Sequence, residues 1–273
     1  MKKEGRKHWR KKLPWKLFED KKTVMVVYFV LRALVLLAMV HQLVVGHYDN
    51  VFLCLLTLVL FLLPSFLERK LKIELPNALE IVILCFIFAS AILGEISEFY
   101  VLVPHWDTWL HTINGFLFAA VGFAIVNIFN EDKRIAMQLS PLSVALVAFC
   151  FSMTIGVLWE FFEWGADLLL GFDMQKDMIL SEISSVMLHP EGKNETVRLE
   201  GIRDVIVILA DGSQVTLGLG GYLDVGLMDT MKDLLVNLVG AVVFSILGYF
   251  YVKNKGKGRI AKMFIPQVET TEE

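Results

Sequence analysis

Residues 23–45, TVMVVYFVLRALVLLAMVHQLVV, decide the fold class of this chain. The stretch holds no acid and a single Lys or Arg, Arg32. It is long enough to cross a bilayer as a helix, since about 20 apolar residues span the roughly 30 Å hydrocarbon core. Five further apolar stretches follow, at about 50–67, 77–95, 109–129, 143–169 and 230–252. The sequence therefore predicts an all-α polytopic membrane protein with six transmembrane helices.

The composition agrees with that prediction. Of the 273 residues, 56 % are hydrophobic and 20 % are charged, and the mean hydropathy is +0.59. Soluble domains have a smaller apolar share and about 25 % charged residues. These values exclude a disordered chain, a nucleic-acid-binding domain and an ordinary soluble enzyme. The lipid bilayer is the first expected partner, and no nucleic acid is expected.

Lys and Arg are distributed unevenly, and their positions predict the orientation. The first 22 residues hold ten of the 26 Lys and Arg, whereas the connections at 46–49 and 95–108 hold none. Because short cytoplasmic connections are enriched in these residues, both termini are predicted to be cytoplasmic. The predicted segments are a basic cytoplasmic N-terminus at 1–22, helices one to five within 23–170, an extracytoplasmic loop at 171–228, helix six at 229–252 and a cytoplasmic tail at 253–273.

The long loop contains a β-hairpin pattern. The runs TVRLEGIRDVIVILA at 196–210 and SQVTL at 213–217 flank Asp211 and Gly212. Two strand-like runs around Asp-Gly are typical of a hairpin. A lone hairpin is only marginally stable in water, so this small extracytoplasmic β-hairpin is expected to pack on the helix ends or on an earlier strand near 183–188.

Polar side chains recur at helical spacing near one end of each of the last three spans. The stripes are Asp107, His111 and Asn114 in the fourth span, Glu160, Glu163 and Asp167 in the fifth, and Asp229, Asp233 and Asn237 in the sixth. With the predicted orientation, all three lie at the extracytoplasmic end, some of them roughly 5–12 Å below the interface at about 1.5 Å rise per residue. Unpaired charges are costly there. An acidic pocket holding protons, a cation or water is therefore expected.

The residue types suggest which ion and which chemistry such a pocket would hold. Oxygen ligands suit Mg²⁺, Ca²⁺ or Mn²⁺, and a histidine ligand also admits Zn²⁺. The hypothetical metal ligands are Asp107, His111, Glu160, Glu163, Asp229, Asp233 and Asn237, and the hypothetical catalytic residues are His111, Glu160 and Glu163.

Simpler roles remain open for several of these residues. Asp107 and Asp229 each begin a helix and would suit its N-terminal cap. Arg32 is a candidate counter-ion. The tryptophans beside the stripes would suit an interfacial aromatic belt; they are Trp106, Trp109, Trp159 and Trp164.

Three short segments carry a family resemblance: WDTWLHTIN at 106–114, WEFFEWGAD at 159–167 and DTMKDLLVNLVG at 229–240. They resemble the YjdF-type family of bacterial inner-membrane proteins and, more distantly, VanZ-like proteins, some of which are linked to teicoplanin resistance. The Asp-x-x-x-His element of these families matches Asp107 and His111. Their acidic helix end matches Glu160 and Glu163. Their final Asp-x-x-x-Asn-x-x-Gly element matches Asp233, Asn237 and Gly240. The resemblance implies a shared membrane fold in the plasma (inner) membrane of a bacterium, and no specific activity.

Three functions are compatible with these observations. The first is a cell-envelope protein whose pocket binds a divalent cation and, with it, a phospholipid or lipid-linked glycan headgroup, with or without catalysis. The second is a proton- or cation-coupled transporter. The third is a non-catalytic membrane scaffold or resistance factor that uses its outer hairpin to contact a partner.

Overall fold

The structure, a computed structural model, describes residues 21–71, 73–131, 139–257 and 262–268. Most of the basic segment predicted at 1–22 lies outside the described residues, as does part of the predicted tail. Within them, six helices are long and apolar enough to cross a membrane: Lys21–Val45, Tyr48–Lys70, Asn77–Ile96, Trp106–Asn127, Pro141–Leu170 and Leu227–Lys253. They coincide with the six apolar stretches, so the prediction of a six-span helical membrane protein is confirmed.

The second and third spans are not uniform α-helices. The first span is α1 (Lys21–Val45), and the second is divided into α2 (Tyr48–Leu60) and α3 (Leu63–Leu71). Pro64, which cannot donate a backbone hydrogen bond, follows directly on this division. The third span begins as α4 (Asn77–Phe88) and continues as a π-helix at Ala89–Ile96. The remaining helices are α5 (Phe99–Leu102), α6 (Trp106–Glu131), α7 (Pro141–Leu170) and α8 (Leu227–Lys253).

The chain divides into two compact units. Unit 1 comprises Met1–Thr154 and Val236–Glu273, and unit 2 comprises Ile155–Leu235. Unit 1 contains a large apolar core, in which Val35, Leu84, Phe123 and Phe244 are fully buried. The helix α6 contributes many of the core residues, whereas most of α1 is exposed, as expected for a helix with lipid on one side.

Residues 262–268, here called the C-terminal strap, pack against much earlier parts of unit 1. The strand β8 (Gln267–Val268) pairs antiparallel with β1 (Ile73–Glu74). The side chain of Ile265 is completely buried, and the ring of Phe264 stands edge-on to Phe116 with centroids 5.3 Å apart. This part of the predicted tail is therefore integrated into the core, which the sequence pattern did not indicate.

Two glycines let α6 and α8 approach backbone to backbone within unit 1. A Cβ atom on Gly115 would overlap the carbonyl oxygen of Asn237, and one on Gly240 would overlap that of Thr112. Small residues at such crossings are typical of membrane helices. The hydroxyl of Ser152 on α7 donates a hydrogen bond of 2.7 Å to the carbonyl of Gly115. The helix α7 therefore also contacts α6 at this crossing.

Unit 2 carries the long loop between α7 and α8, and three short antiparallel strand pairs organise it. The pairs are β2 (Ile179–Leu180) with β7 (Tyr222–Leu223), β3 (Glu182–Ser185) with β4 (Val197–Glu200), and β5 (Ile206–Ile208) with β6 (Gln214–Thr216). The β5–β6 pair is the predicted hairpin around Asp211 and Gly212. The run at 196–210 is nevertheless not one strand, because Gly201 adopts a left-handed φ of 68° and ends β4. Its first half pairs with the strand at 182–185.

Candidate functional site

The polar stripe of α6 lies in unit 1 and brings Asp107 and His111 together. They are one turn apart, and Nε2 of His111 lies 3.4 Å from Oδ1 of Asp107. His111 is buried, with 8 % of its surface exposed. The second carboxylate oxygen of Asp107 is buried and has no hydrogen-bond partner among the described residues. An imidazole nitrogen and a carboxylate at this separation can share a proton, and both are metal-ligand types.

Asn237 on α8 is almost completely removed from solvent within unit 1, with 1 % of its surface exposed. Its Nδ2 faces the sulfur of Met153 at 3.6 Å, and its Oδ1 has no hydrogen-bond partner in the part of the chain that the structure describes. Because its main chain packs on Gly115, its position is fixed about one turn from His111 along α6. A buried amide oxygen of this kind is costly unless its lone pairs accept a hydrogen bond or bind a cation.

In unit 2, α7 carries two buried glutamates on one face. Glu160 and Glu163 are 4 % and 8 % exposed, and a carboxylate oxygen of each lies within 4.8 Å of one on the other. The indole Nε1 of Trp159 donates a hydrogen bond of 2.8 Å to Oε1 of Glu163. Two carboxylates held this close out of water repel each other unless a proton or a positive charge offsets them.

The first turns of α8, also in unit 2, hold Asp229 and Asp233, which are 6 % and 1 % exposed. Lys232 is their shared cation: its Nζ lies 3.4 Å from Oδ1 of Asp229 and 3.9 Å from Oδ1 of Asp233. The second oxygen of Asp229 accepts the backbone amide of Lys176 at 3.0 Å. Lys232 was not predicted as a site residue, although its spacing of three residues from Asp229 was a usable signal.

A different aspartate satisfies the N-terminal amides of α8. Asp224 accepts hydrogen bonds from the amides of Met228 at 2.8 Å and Gly226 at 3.3 Å, and also from Met178 at 2.8 Å. Asp229 lies within the first turn, two residues after the helix begins at Leu227. The predicted capping role at this helix therefore belongs to Asp224, which frees Asp229 to hold the loop.

Carboxylates also set the course of the chain where it leaves α7. Asp167 accepts the amides of Met174 at 2.6 Å and Gln175 at 2.8 Å. The pKa of nearby Asp177 is raised above its ordinary 3.8, first by desolvation and then by the charges of Asp173, Asp224 and Asp167, with Lys176 acting in the opposite direction. Asp167 is thus an anchor for the loop.

Arg32, the predicted counter-ion, is accounted for locally on α1. Its guanidinium carbon lies 4.1 Å from the centroid of the Tyr28 ring, one turn away on the same helix, in a cation–π contact. The three cysteines are all free; they are Cys54, Cys85 and Cys150.

Within each unit, the structure brings several of the predicted site residues into contact. Asp107 pairs with His111, Glu160 with Glu163, and Asp229 and Asp233 share Lys232. Sequence reasoning missed two members of these groups. Lys232 was not among the predicted site residues. Trp159 was attributed to an aromatic belt, although its indole donates a hydrogen bond to Glu163.

Comparison with known proteins gives a family but no activity. The family model described as "Predicted membrane protein (DUF2238)" matches residues 24–254. An uncharacterized protein of Thermotoga maritima is 24 % identical over 116 residues, which are 42 % of this chain and 58 % of the relative. The chain thus matches little more than half of that relative's length. No solved structure matches. Since the family model covers all six spans except the first residues of α1, the chain belongs to the DUF2238 family of membrane proteins.

Proposed function

We propose that this membrane protein binds a divalent cation on the extracytoplasmic side of a bacterial inner membrane, and with it the phosphate headgroup of a phospholipid or lipid-linked glycan. The observation that carries the proposal is the buried pair Glu160 and Glu163, whose oxygens lie within 4.8 Å of each other. A divalent cation would offset both charges at once, and carboxylate oxygens are the ligands that Mg²⁺, Ca²⁺ and Mn²⁺ prefer.

Further ligands are proposed from the sequence, because it places the polar ends of three spans at a common depth. These ligands are Asp107, His111, Asp229, Asp233 and Asn237. The Asp107–His111 pair supports the inclusion of a nitrogen ligand, since the aspartate orients the imidazole. A site with one histidine also admits Zn²⁺. A cation held by carboxylates retains the capacity to bind a phosphate oxygen, which is the basis for the proposed headgroup.

If the site is catalytic, the proposed roles follow from these ligand types. Glu160 or Asp233 would hold the ion, and His111 or Glu163 would act as general base in phosphoryl or acyl transfer. The pairing of Asp107 with His111 supports this role for the histidine, because a carboxylate partner selects the tautomer and holds the ring.

The test is metal analysis of the detergent-purified protein, followed by titration of the metal-free protein with Mg²⁺, Ca²⁺, Mn²⁺ and Zn²⁺. Thermal unfolding reports binding, because a ligand that binds only the folded state raises the melting temperature. We expect one of these ions to stabilise the wild type. Glu160→Gln and Asp233→Asn, which keep side-chain size, should weaken that ion's affinity by about tenfold or more.

Exposed carboxylates provide matched controls. Glu191→Gln and Asp173→Asn make the same chemical changes in the exposed loop and should leave the ion's affinity unchanged. The proposal is wrong if no ion stabilises the wild type, or if the buried and exposed variants bind the ion equally well. In that event a non-catalytic scaffold that contacts a partner through the loop becomes the better description.

Proton- or cation-coupled transport is a second candidate, favoured by the irregular second and third spans. The division between α2 and α3 and the π-helix at Ala89–Ile96 interrupt regular helix, and interrupted spans are common in transporters. The test is ion flux into proteoliposomes under an imposed gradient. Flux abolished by Glu160→Gln but retained in Glu191→Gln would favour transport over headgroup binding.

The family assignment supports the location and the YjdF-type resemblance, which we also propose. The extracytoplasmic placement of the loop at 171–228 rests on the Lys and Arg distribution. Reporter fusions within the loop test it, and cytoplasmic reporter activity there would overturn the orientation. The more distant VanZ-like kinship rests on the three short motifs alone.

A further inference from the structure

A cavity of about 90 Å³ lies inside unit 1, between α3, α4, α6 and the C-terminal strap. Its walls include Leu79 and Ile83 from α4, Leu117 and Val121 from α6, and Pro266 from the strap. Every lining residue is apolar except Asn114. A water molecule needs two to four polar partners to occupy a site stably. One amide does not supply them, so the cavity suits an apolar occupant.

The cavity continues the polar stripe of α6 along one face of the helix. Asp107, His111 and Asn114 are followed on the same face by Phe118 and Val121, at i+11 and i+14 from Asp107. Asn114 is therefore the point at which this face changes from polar to apolar. The lining residues of α6 run from Asn114 to Ala124, about 15 Å at 1.5 Å per residue. A face that is polar at one end and lines an apolar cavity at the other matches an amphiphile.

We propose that this cavity takes a short segment of one acyl chain, which belongs to a phospholipid whose polar end lies at the Asp107–His111 pair. The bilayer around the six spans supplies that chain at high local concentration. An empty apolar void destabilises a fold in proportion to its volume, so occupation by methylene groups stabilises unit 1. The placement of the polar end rests on the proposed headgroup function, whereas the occupation of the cavity does not.

The experiment uses the full-length protein in liposomes that contain a phospholipid with a photoactivatable diazirine on one acyl chain. After illumination, the labelled residues are mapped by peptide mass spectrometry. Val121→Phe fills the cavity from α6, and Ile83→Phe fills it from α4. Val147→Phe is the matched control, since Val147 is an exposed residue of α7 outside the cavity lining.

We expect wild-type labelling to be concentrated at 114–124 and 79–86, and to fall about tenfold in both filled variants, because each excluded methylene is worth a factor of about four. The control variant should label like the wild type. Ile83→Phe decides the result if Val121→Phe does not fold, as judged by size-exclusion chromatography. Uniform labelling of exposed helix faces, or labelling of 114–124 that both folded filled variants retain, would overturn the proposal.

Acyl-chain labelling and metal binding are measured separately, so the two proposals can fail independently. Loss of acyl-chain labelling in Val121→Phe with unchanged metal content would support the cavity alone. Loss of metal in Glu160→Gln with unchanged labelling would likewise leave the acyl site standing. Failure of metal binding in every protein, with labelling intact, would remove the proposed headgroup function and retain the lipid chain.

Discussion

The indole Nε1 of Trp159 lies 2.8 Å from Oε1 of Glu163, one turn further along α7, and donates a hydrogen bond to it. Both residues belong to the motif at 159–167, and Glu163 is buried beside Glu160. A tryptophan whose position suggests an interfacial belt thus also orients an acidic side chain. Trp159 therefore has a polar role as well as an apolar one, because its indole N–H stabilises the carboxylate of Glu163.

Trp159→Phe is expected to destabilise the protein by about 1–3 kcal/mol, because it removes the donor to a buried carboxylate while keeping an aromatic ring. The measurement is thermal unfolding in detergent. Trp164→Phe is the control, since Trp164 is more than half exposed, at 57 %. Equal melting temperatures for the two variants would show that the Trp159 hydrogen bond contributes nothing to stability.

Gly240→Ala should be strongly destabilising, by about 1–3 kcal/mol or more, because its Cβ would overlap the carbonyl of Thr112 and force α6 and α8 apart. Gly165→Ala on α7 makes the same substitution where nothing lies within 4 Å. That control should be neutral or stabilising by up to about 1 kcal/mol, as alanine favours helix over glycine. Similar melting temperatures for the two alanine variants would contradict the backbone contact.

The turn between β5 and β6 should open at low pH. The carboxylate of Asp211 accepts the hydroxyl of Ser213 at 2.6 Å and its amide at 2.9 Å, and these bonds lower the pKa of Asp211 below its ordinary 3.8. Because the pKa of Asp211 is lower in the folded state, its ionised carboxylate stabilises the turn at pH values above the ordinary pKa. This stabilisation is lost as the pH falls through the folded-state pKa. The amide of Leu209 donates a hydrogen bond to the carbonyl of Ser213, and its protection from hydrogen exchange should therefore decrease as the pH is lowered from about 3.8.

An internal reference is available for that measurement in the same unit. The amide of Ile202 donates to the carbonyl of Ser181 without involving Asp211, so its protection should change less over the same pH range. In Asp211→Asn the pH dependence of the Leu209 amide should disappear. If it persists in that variant, another group controls the turn.

Ile265→Ala should cost about 2–5 kcal/mol, since the side chain is completely buried and its removal leaves a void in the unit 1 core. Ile246→Ala on α8 removes the same atoms from a residue that is about half exposed, at 52 %, and should have little effect on the melting temperature. A small effect at Ile265 would mean that the C-terminal strap is not an integral part of the core in solution.

The six spans were predictable because a helix that crosses a bilayer must be apolar over its whole length. The β5–β6 turn was predictable from Asp211 and Gly212, since few other pairs suit such a turn. The burial of Glu160, Asp233 and Asn237 also followed from the sequence, because each lies one turn or more inside an apolar stretch. These features depend on local properties that a single segment carries by itself.

Other features depend on contacts between segments that are distant in sequence, and no local sequence pattern predicts them. The C-terminal strap is a short apolar run whose partner, Ile73, lies nearly two hundred positions earlier in the chain. The role of Asp224 at the start of α8 depends on where that helix begins, and helix ends are hard to place from hydropathy. The interruption of the 196–210 run at Gly201 depends on a backbone conformation that glycine permits but does not require.

The pairing of Ile73 with Val268 has a consequence for biosynthesis. Unit 1 is discontinuous in sequence, and Ile265, which completes its core, is translated after the whole of unit 2. The apolar core to which α1 to α6 contribute therefore lacks the side chain of Ile265 until the strap has been translated. A chain truncated before the strap should therefore carry a packing defect in unit 1 even though all six spans have been synthesised.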